Sequence, residues 1–301
     1  MKAMVGIPVF NEQRNIGDLL RALEETRSDA RIGRICIVSS STDSTENIVR
    51  AHSLLDQRIE LITERRRRGK ANAWNKLVDV AEAGGFDSLV CLGGDNRPYQ
   101  NGISLLLDEL EKGLDIVGGR PIPVDTIGTF LGWHINLLWN MHHCMSRKIK
   151  PKISGEMCAF RVGVVREMPP ALINDDAYLQ ILFELRGFRA GYCENAKVLL
   201  KGPSTLSELI TQRRRIYIGH HQLRMYTGEK PPTIWAHARY RSLLLVGQAL
   251  PSRGFRPLIY LVLSFFIESA LYLLGKLDFH MGNLPYKWRM AETTKALRYG
   301  P

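Results

Sequence analysis

Residues 3–12 read AMVGIPVFNE, a short apolar run closed by an asparagine and a carboxylate. A run of this length bounded by polar residues predicts a buried strand. The segment behind it, NIGDLLRALEE, places Ile16, Leu19, Leu20 and Leu23 at helical spacing. That strand-then-helix pair sets a rhythm for the next hundred residues. RICIVSS is a second strand, and STDSTENIVRAHSLL a helix with Ser41, Thr42 and Asp43 as N-cap candidates. RIELITE and the helix GKANAWNKLVDVAEAG follow, the latter ending at Gly84 and Gly85. SLVCLGG, the helix YQNGISLLLDELEKG and LDIVGG complete the series. Alternation of this kind predicts an α/β fold with right-handed crossovers and a mainly parallel sheet flanked by helices. Ligands on such sheets bind beyond the carboxyl ends of the strands.

After residue 120 the rhythm changes. GTFLGWHINLLWNMHHCMS reads as an aromatic-rich helix, EMCAFRVGVV as a strand and DAYLQILFELRGF as a helix ending at Gly187. RAGYCENAKVLL is a further strand, and LSELITQRRRIYIGHHQLRMY a long basic helix. TGEKPPT is the first boundary-like stretch. The expected division is therefore a domain over 1–226, with halves of 1–120 and 121–226, and a helical, partly apolar extension over 227–301.

The chain of 301 residues is 45% hydrophobic and 24% charged, a globular balance long enough for a sizeable core. A formal charge of +11 and a pI near 9.5 call for an anionic partner: a nucleotide, a nucleic acid or an acidic membrane surface. Five scattered cysteines show neither metal-knuckle spacing nor a disulfide framework, which favours a reducing, cytoplasmic setting. No signal peptide is expected, since the first apolar run passes straight into polar residues. PLIYLVLSFFIESALYLLGKL, residues 257–277, approaches spanning length but carries Glu268 near its middle. It reads equally as a span, an in-plane helix, or a helix buried in a core or dimer.

Several strand ends carry chemistry-bearing residues. Glu12 closes PVFNE, where a carboxylate is also favoured simply by the dipole of the helix that follows. Arg65–Arg68, Gly69 and Lys70 stand where a strand meets a helix N-terminus, a geometry suited to an anion. No GxxxxGK[ST] pattern occurs, so this is not a P-loop. CLGGDNRPYQ puts Asp95 behind Gly93 and Gly94, as a turn residue or a metal ligand. Asp175 and Asp176 begin a helix, where they are either caps or a pair in which one serves as base. Gln212 and Arg215 lie three apart on one helical face and can address one ligand.

The order of these segments resembles the family-2 glycosyltransferases with the GT-A fold. PVFNE matches that family's first strand end, and GKANAWN its GKxxALN segment. VSSSTDST keeps Ser41, Thr42 and Asp43 but has Ser39 and Ser40 in place of an acidic pair. The resemblance implies a nucleotide-sugar site at Pro8, Phe10, Asn11, Glu12, Ser39, Ser40, Asp43, Gly69, Lys70, Asn72, Gly94 and Asp95. The family's D-x-D metal motif falls on Gly93, Gly94 and Asp95, so the first acid is missing and Asp95 becomes the implied Mg²⁺ or Mn²⁺ ligand. INDDAYLQILFELRGFRAGYCENAKV resembles the family's ED-containing block, which makes Asp176 the implied base with Asp175 beside it. QRRRIYIGHHQ resembles the QxxRWxxG helix, with Ile216 replacing the tryptophan. It implies roles for Gln212 and Arg215 at the leaving diphosphate, and for His220 as a metal or phosphate contact.

The implied reaction is inverting transfer of a sugar from a UDP- or GDP-linked donor to an acceptor hydroxyl or phosphate. Trp133 and Trp139 beside a basic surface, together with residues 257–277, point to a lipid-linked acceptor and peripheral association with the cytoplasmic membrane face. Nucleic acid is not an expected partner; a homodimer is an allowed assembly. Two rivals predict other features. A sugar-nucleotide nucleotidyltransferase needs a Gly-rich basic loop after the first strand, where this chain has FNEQRN. A non-enzymatic basic binding protein accounts for the charge but not for Asp95 and Asp176.

Overall fold

The computed structural model describes residues 1–165, 167–231, 233, 242–287 and 291–295; Pro232 of the boundary stretch TGEKPPT and parts of the 227–301 extension lie outside them. The first half runs β1 (Ala3–Val9), α1 (Ile16–Glu24), β2 (Ile32–Ser39), α2 (Thr45–Ser53), β3 (Ile59–Thr63), α3 (Lys70–Ala83), β4 (Ser88–Leu92), β5 (Arg97–Pro98), α4 (Gly102–Glu111) and β6 (Ile116–Pro123). The second half runs α5 (Phe130–Lys148), β7 (Met157–Arg161), α6 (Asp175–Leu185), β8 (Ala190–Leu200), α7 (Leu206–Thr227), α8 (Ser242–Ala249) and α9 (Phe255–His280).

The strands form one sheet in the order β3-β2-β1-β4-β7-β6-β8-β5. Pairings β1–β2, β2–β3, β1–β4 and β6–β8 are parallel, as strand–helix alternation predicts. Three pairings depart from that pattern. β7 enters antiparallel between β4 and β6, and the two-residue β5 pairs antiparallel with β8. Successive residues of a strand face opposite sides, and β1 uses both. Val5 and Ile7 join Leu19, Leu20 and Leu23 of α1 and Leu106 of α4 in one core. Met4 joins Trp74 and Leu77 of α3 and Phe183 of α6 in the other. Burying each such side chain contributes about 1.5–3 kcal/mol, so the sheet is held from both faces. The carboxyl ends of the parallel strands β1, β2, β3 and β4 lie along one edge of it.

The apolar segment near the C-terminus is α9, long and apolar enough by length and composition to cross a membrane. Its polar residues, however, are tied to the domain. Glu268 accepts from Arg213 Nε at 2.9 Å and Nη2 at 2.6 Å and lies 3.0 Å from His134 Nε2. Asp278 accepts two bonds from Arg214, both at 2.8 Å. Gly275 lets α9 approach α7, since a Cβ there would stand 2.7 Å from Tyr217 Cβ. The opposite face carries Phe265, Phe266 and Leu273, each more than half exposed. Trp133, expected at a membrane interface, is instead fully buried, with its indole N–H donating to Ser252 at 3.0 Å.

Candidate active site

The loop after β1 is locked to the loop after β2. Asn11 adopts a left-handed backbone (φ 56°), which asparagine tolerates better than most residues. Its amide N–H donates to Ser41 at 2.9 Å, and its side-chain oxygen accepts from the Thr42 N–H at 2.8 Å. The Glu12 N–H donates to Thr45 Oγ1 at 2.8 Å. Ser39 is fully buried and donates to Ser41 Oγ at 2.9 Å, so it braces this junction from beneath. Asp43 accepts from the Thr45 N–H at 3.0 Å and from Gln13 N–H at 3.3 Å. Burial alone would lift its pKa, but the bonds from Thr45 and Gln13 bring it below the ordinary value. Arg67 covers the ring of Phe10, with its guanidinium carbon 4.1 Å from the centroid. From the far end of the chain, Lys295 reaches the Phe10 carbonyl at 3.3 Å and the Glu12 carboxylate at 3.3 Å.

Beyond these loops lies a cleft of about 1120 Å³. Of the residues singled out by sequence, Glu12, Lys70, Asp95, Asp175, Asp176, Gln212, Arg215 and His220 line it. Pro8, Phe10, Asn11, Ser39, Ser40, Asp43, Gly69, Asn72 and Gly94 do not line it; they belong to the strand ends and helix start that frame it. Asn72 donates to the Arg68 carbonyl at 3.0 Å, closing the turn into α3. Gly94 packs so tightly under the β1 loop that a Cβ would stand 2.7 Å from Val9 Cγ1.

The position of the missing acid has a structural explanation. A Cβ on Gly93 would stand 2.2 Å from the side-chain nitrogen of Asn96. That nitrogen donates to the Glu156 carboxylate at 2.5 Å. Glu156 immediately precedes β7, and its carbonyl accepts from the Gly93 N–H at 3.1 Å. The antiparallel entry of β7 thus delivers a carboxylate beside Asp95 from elsewhere in the chain. Burial, then the charge of Asp95, push Glu156 up to about 7, and the same two causes lift Glu12 to about 7. Sequence reasoning missed Glu156, because a lone glutamate before a strand carries no local signal.

The opposite wall is built by α6 and α7. The Asp176 carboxylate accepts from the Gly155 N–H at 2.9 Å and the Ala177 N–H at 2.8 Å, which fixes its direction. Lys70 lies 3.2 Å from Asp175. Burial would lower the Lys70 pKa, but Asp175, Asp176 and Glu156 outweigh it and hold the ammonium above its ordinary value. Burial pulls Arg215 down to about 10 against the same acids and Asp95. The segment before α6 is clamped by α7. Asn174 donates to the Ile216 carbonyl at 3.0 Å, and Gln222 bonds Ile173 and Ala171 at 2.9 and 2.8 Å. Gly219 makes room for that clamp, since a Cβ would stand 2.5 Å from Asn174 Cγ. His221 lies outside the cleft lining, between the rings of Tyr272 and Phe279. Among the described residues no three His, Cys, Asp or Glu side chains are grouped to hold a metal ion.

The sequence matches the profile of glycosyl transferase family 2 over residues 4–168. The chain belongs to that family. It is a glycosyltransferase, which removes the nucleotidyltransferase and non-enzymatic readings. Among solved structures it is similar to the mannosyltransferase PcManGT from Pyrobaculum calidifontis in complex with GDP-Man and Mn²⁺. The two are 18% identical, with 93% of this chain and 87% of that one covered and a TM-score of 0.65. It is also similar to glucosyl-3-phosphoglycerate synthase from Mycobacterium tuberculosis in complex with Mn²⁺ and UDP-glucose. There the identity is 17%, the coverage 75% and 79%, and the TM-score 0.54. These likenesses establish the GT-A fold. No curated protein matches the sequence.

Proposed function

We propose that this glycosyltransferase moves a sugar, with inversion, from a UDP- or GDP-sugar to an acceptor oxygen at the cytoplasmic face of a membrane. The carrying observation is the convergence of Asp95, Glu156, Lys70, Arg215, Asp175 and Asp176 on one cleft. The donor classes are those of the similar structures, which hold GDP-Man or UDP-glucose with Mn²⁺. Asp95, with Glu156 beside it, fits a divalent ion: burial and then the charge of Asp95 raise the Glu156 pKa, and a cation held by the two would offset both. Mg²⁺ and Mn²⁺ sites of this kind take one or two carboxylates and complete the shell with phosphate oxygens and water. The ion's contribution there is neutralisation of the donor diphosphate.

Lys70 and Arg215 supply fixed positive charge to the same diphosphate as it leaves. Asp176 is aimed by its two backbone N–H bonds. The acceptor oxygen forms its bond to the anomeric carbon as the bond from that carbon to the diphosphate oxygen breaks. The electron pair of the broken bond leaves on the nucleoside diphosphate, and an acceptor hydroxyl gives its proton to Asp176. One displacement inverts the centre and needs no enzyme nucleophile. The region after Thr227 is read as an extension of the transferase domain. The exposed face of α9, on a chain of charge +11, supports peripheral contact with an anionic bilayer and hence a lipid-linked acceptor.

The test is slow hydrolysis of a panel of UDP- and GDP-sugars by purified protein with Mg²⁺ or Mn²⁺, together with calorimetric binding. At least one donor is expected to bind and turn over in a metal-dependent way. A panel in which none binds or is hydrolysed sinks the reading.

A further inference from the structure

The second half of the cleft holds a buried imidazole that the donor chemistry leaves unused. His142 lies on α5, is 7% exposed, and lines the cleft with Ile135, Leu138 and Trp139 of the same helix. Among the described residues neither of its ring nitrogens has a hydrogen-bond partner. Two unmet polar atoms at a buried position are unfavourable unless something else meets them. The polar groups around this part of α5 are committed elsewhere. Tyr192 packs its ring edge-on, 6.2 Å from the imidazole, but its hydroxyl lies 2.8 Å from His143 Nδ1. Ser146 Oγ donates to the His142 carbonyl at 2.8 Å. These contacts hold the ring in place and leave the cleft as the source of its partner.

Three residues earlier, and so on the same helical face, the Trp139 ring stands 5.5 Å from the imidazole at 58° to it. Trp139 is only half-buried and presents an apolar surface to the cleft. Burial, then the charges of Lys152 and His143, hold the His142 pKa well below its ordinary value, so the ring is uncharged at pH 7. A neutral imidazole offers one N–H donor and one acceptor nitrogen. Helix α5 packs on β6 and β8, at the other end of the sheet from β1, β2 and β3. The cleft, at about 1120 Å³, exceeds the roughly 300–1,000 Å³ of a pocket for one ligand. A nucleotide therefore leaves room for a second organic molecule.

We infer that Trp139 and His142 form the seat of a neutral sugar ring in the acceptor, the indole under the ring's apolar face and the imidazole on its hydroxyls. The inference rests on the transferase reading above. A hydroxyl both donates and accepts, so adjacent sugar hydroxyls meet both nitrogens. A hydrocarbon chain would leave both unmet. A fully ionised anion has no hydrogen to give and would leave the acceptor nitrogen unmet. The C–H face of a pyranose matches the flat apolar surface of Trp139, while its edge stays polar.

The experiment uses the full chain with MnCl₂. Calorimetry measures UDP and GDP binding, and saturation-transfer NMR titrations measure the methyl and octyl glycosides of glucose, galactose, mannose and N-acetylglucosamine. Wild type is expected to bind a nucleotide and at least one glycoside. His142→Phe keeps an aromatic ring without hydrogen-bonding atoms, and Trp139→Leu removes the indole face. Each is expected to weaken that glycoside by roughly fivefold or more, the loss of one such contact. His142→Gln, which keeps a donor and an acceptor, and Trp139→Phe, which keeps a flat ring, are expected to retain most of the affinity. Nucleotide affinity should be the same in all variants, which also reports that they are folded. Preference for an octyl glycoside assigns a lipid-borne sugar, and equal affinity for the methyl form a soluble one. Undiminished glycoside binding by His142→Phe or by Trp139→Leu overturns the seat, as does wild type that binds a nucleotide but no glycoside. Failure of wild type to bind either nucleotide overturns the transferase reading itself, and the inference with it.

Discussion

The side-chain amide of Asn96 donates to the Glu156 carboxylate at 2.5 Å, through the space that a side chain at residue 93 would need. The two-acid motif is therefore not merely short of one residue. A second carboxylate has arrived from the start of another strand, and the amide that steadies it occupies the vacated room.

Restoring the acid at its usual position is accordingly expected to harm the protein. Gly93→Asp would drive the Asn96 amide off Glu156, leaving a half-buried carboxylate short of a donor. The expected loss is about 1–3 kcal/mol in urea unfolding, with no gain in Mn²⁺ affinity by calorimetry. A variant as stable as wild type that binds Mn²⁺ more tightly would show that the space is available after all.

Asp176→Asn keeps the size of the side chain and removes its capacity to take a proton. Donor binding should persist, while transfer to a hydroxyl acceptor falls by about 10²–10⁴-fold, the usual range for a lost general base. Single-turnover transfer measured beside donor affinity checks this. A fully active variant removes Asp176 from the mechanism.

His142 is buried, and among the described residues neither of its ring nitrogens has a hydrogen-bond partner. Burial, then the charge of Lys152, hold its pKa well below the ordinary value, and His143 is likewise depressed to about 4. The unfolded chain accepts protons below about 6.5 that the folded chain refuses. Stability from these groups is thus complete above that pH and is lost as pH falls, by about 1.4 kcal/mol per unit for each histidine. His142→Leu is expected to match wild type at pH 7.5 and to lose less Tm between pH 6.5 and 5.5. Parallel Tm curves for the two proteins would contradict the assignment.

The two faces of α9 should separate under mutation. Glu268→Ala leaves Arg213 half-buried without its carboxylate and is expected to cost about 2–4 kcal/mol. Phe265→Ser with Phe266→Ser alters only exposed positions and should leave Tm near wild type while reducing flotation with anionic vesicles. Unchanged flotation would argue that this face meets something other than lipid.

Much of this arrangement is legible along the chain, and what is not has a common cause. Helical spacing at Ile16, Leu19, Leu20 and Leu23 and the apolar runs before Glu12 and Asp95 report local periodicity, which a linear reading captures. The wedge of β7 between β4 and β6 leaves no local trace, because its orientation depends on strands far away in sequence. Glu156 inherits that invisibility, as does the Gln222 clamp on Ile173. Trp133 misled for the opposite reason. An aromatic-rich helix matches an interface pattern, and only tertiary packing against Ala249, Tyr260 and Leu261 reveals that Trp133 is buried. Lys70, Asp95, Asp175 and Asp176 are legible because strand ends and helix starts mark themselves by composition.

The tie from Lys295 to the Phe10 carbonyl joins positions 285 apart in sequence. During synthesis β1 and its partners emerge from the ribosome early and can pair at once. The loop that follows β1 must wait for almost the entire remaining chain before Lys295 can brace it. The loop after β1 is thus among the first parts of the molecule to be synthesised and among the last to gain its full set of contacts.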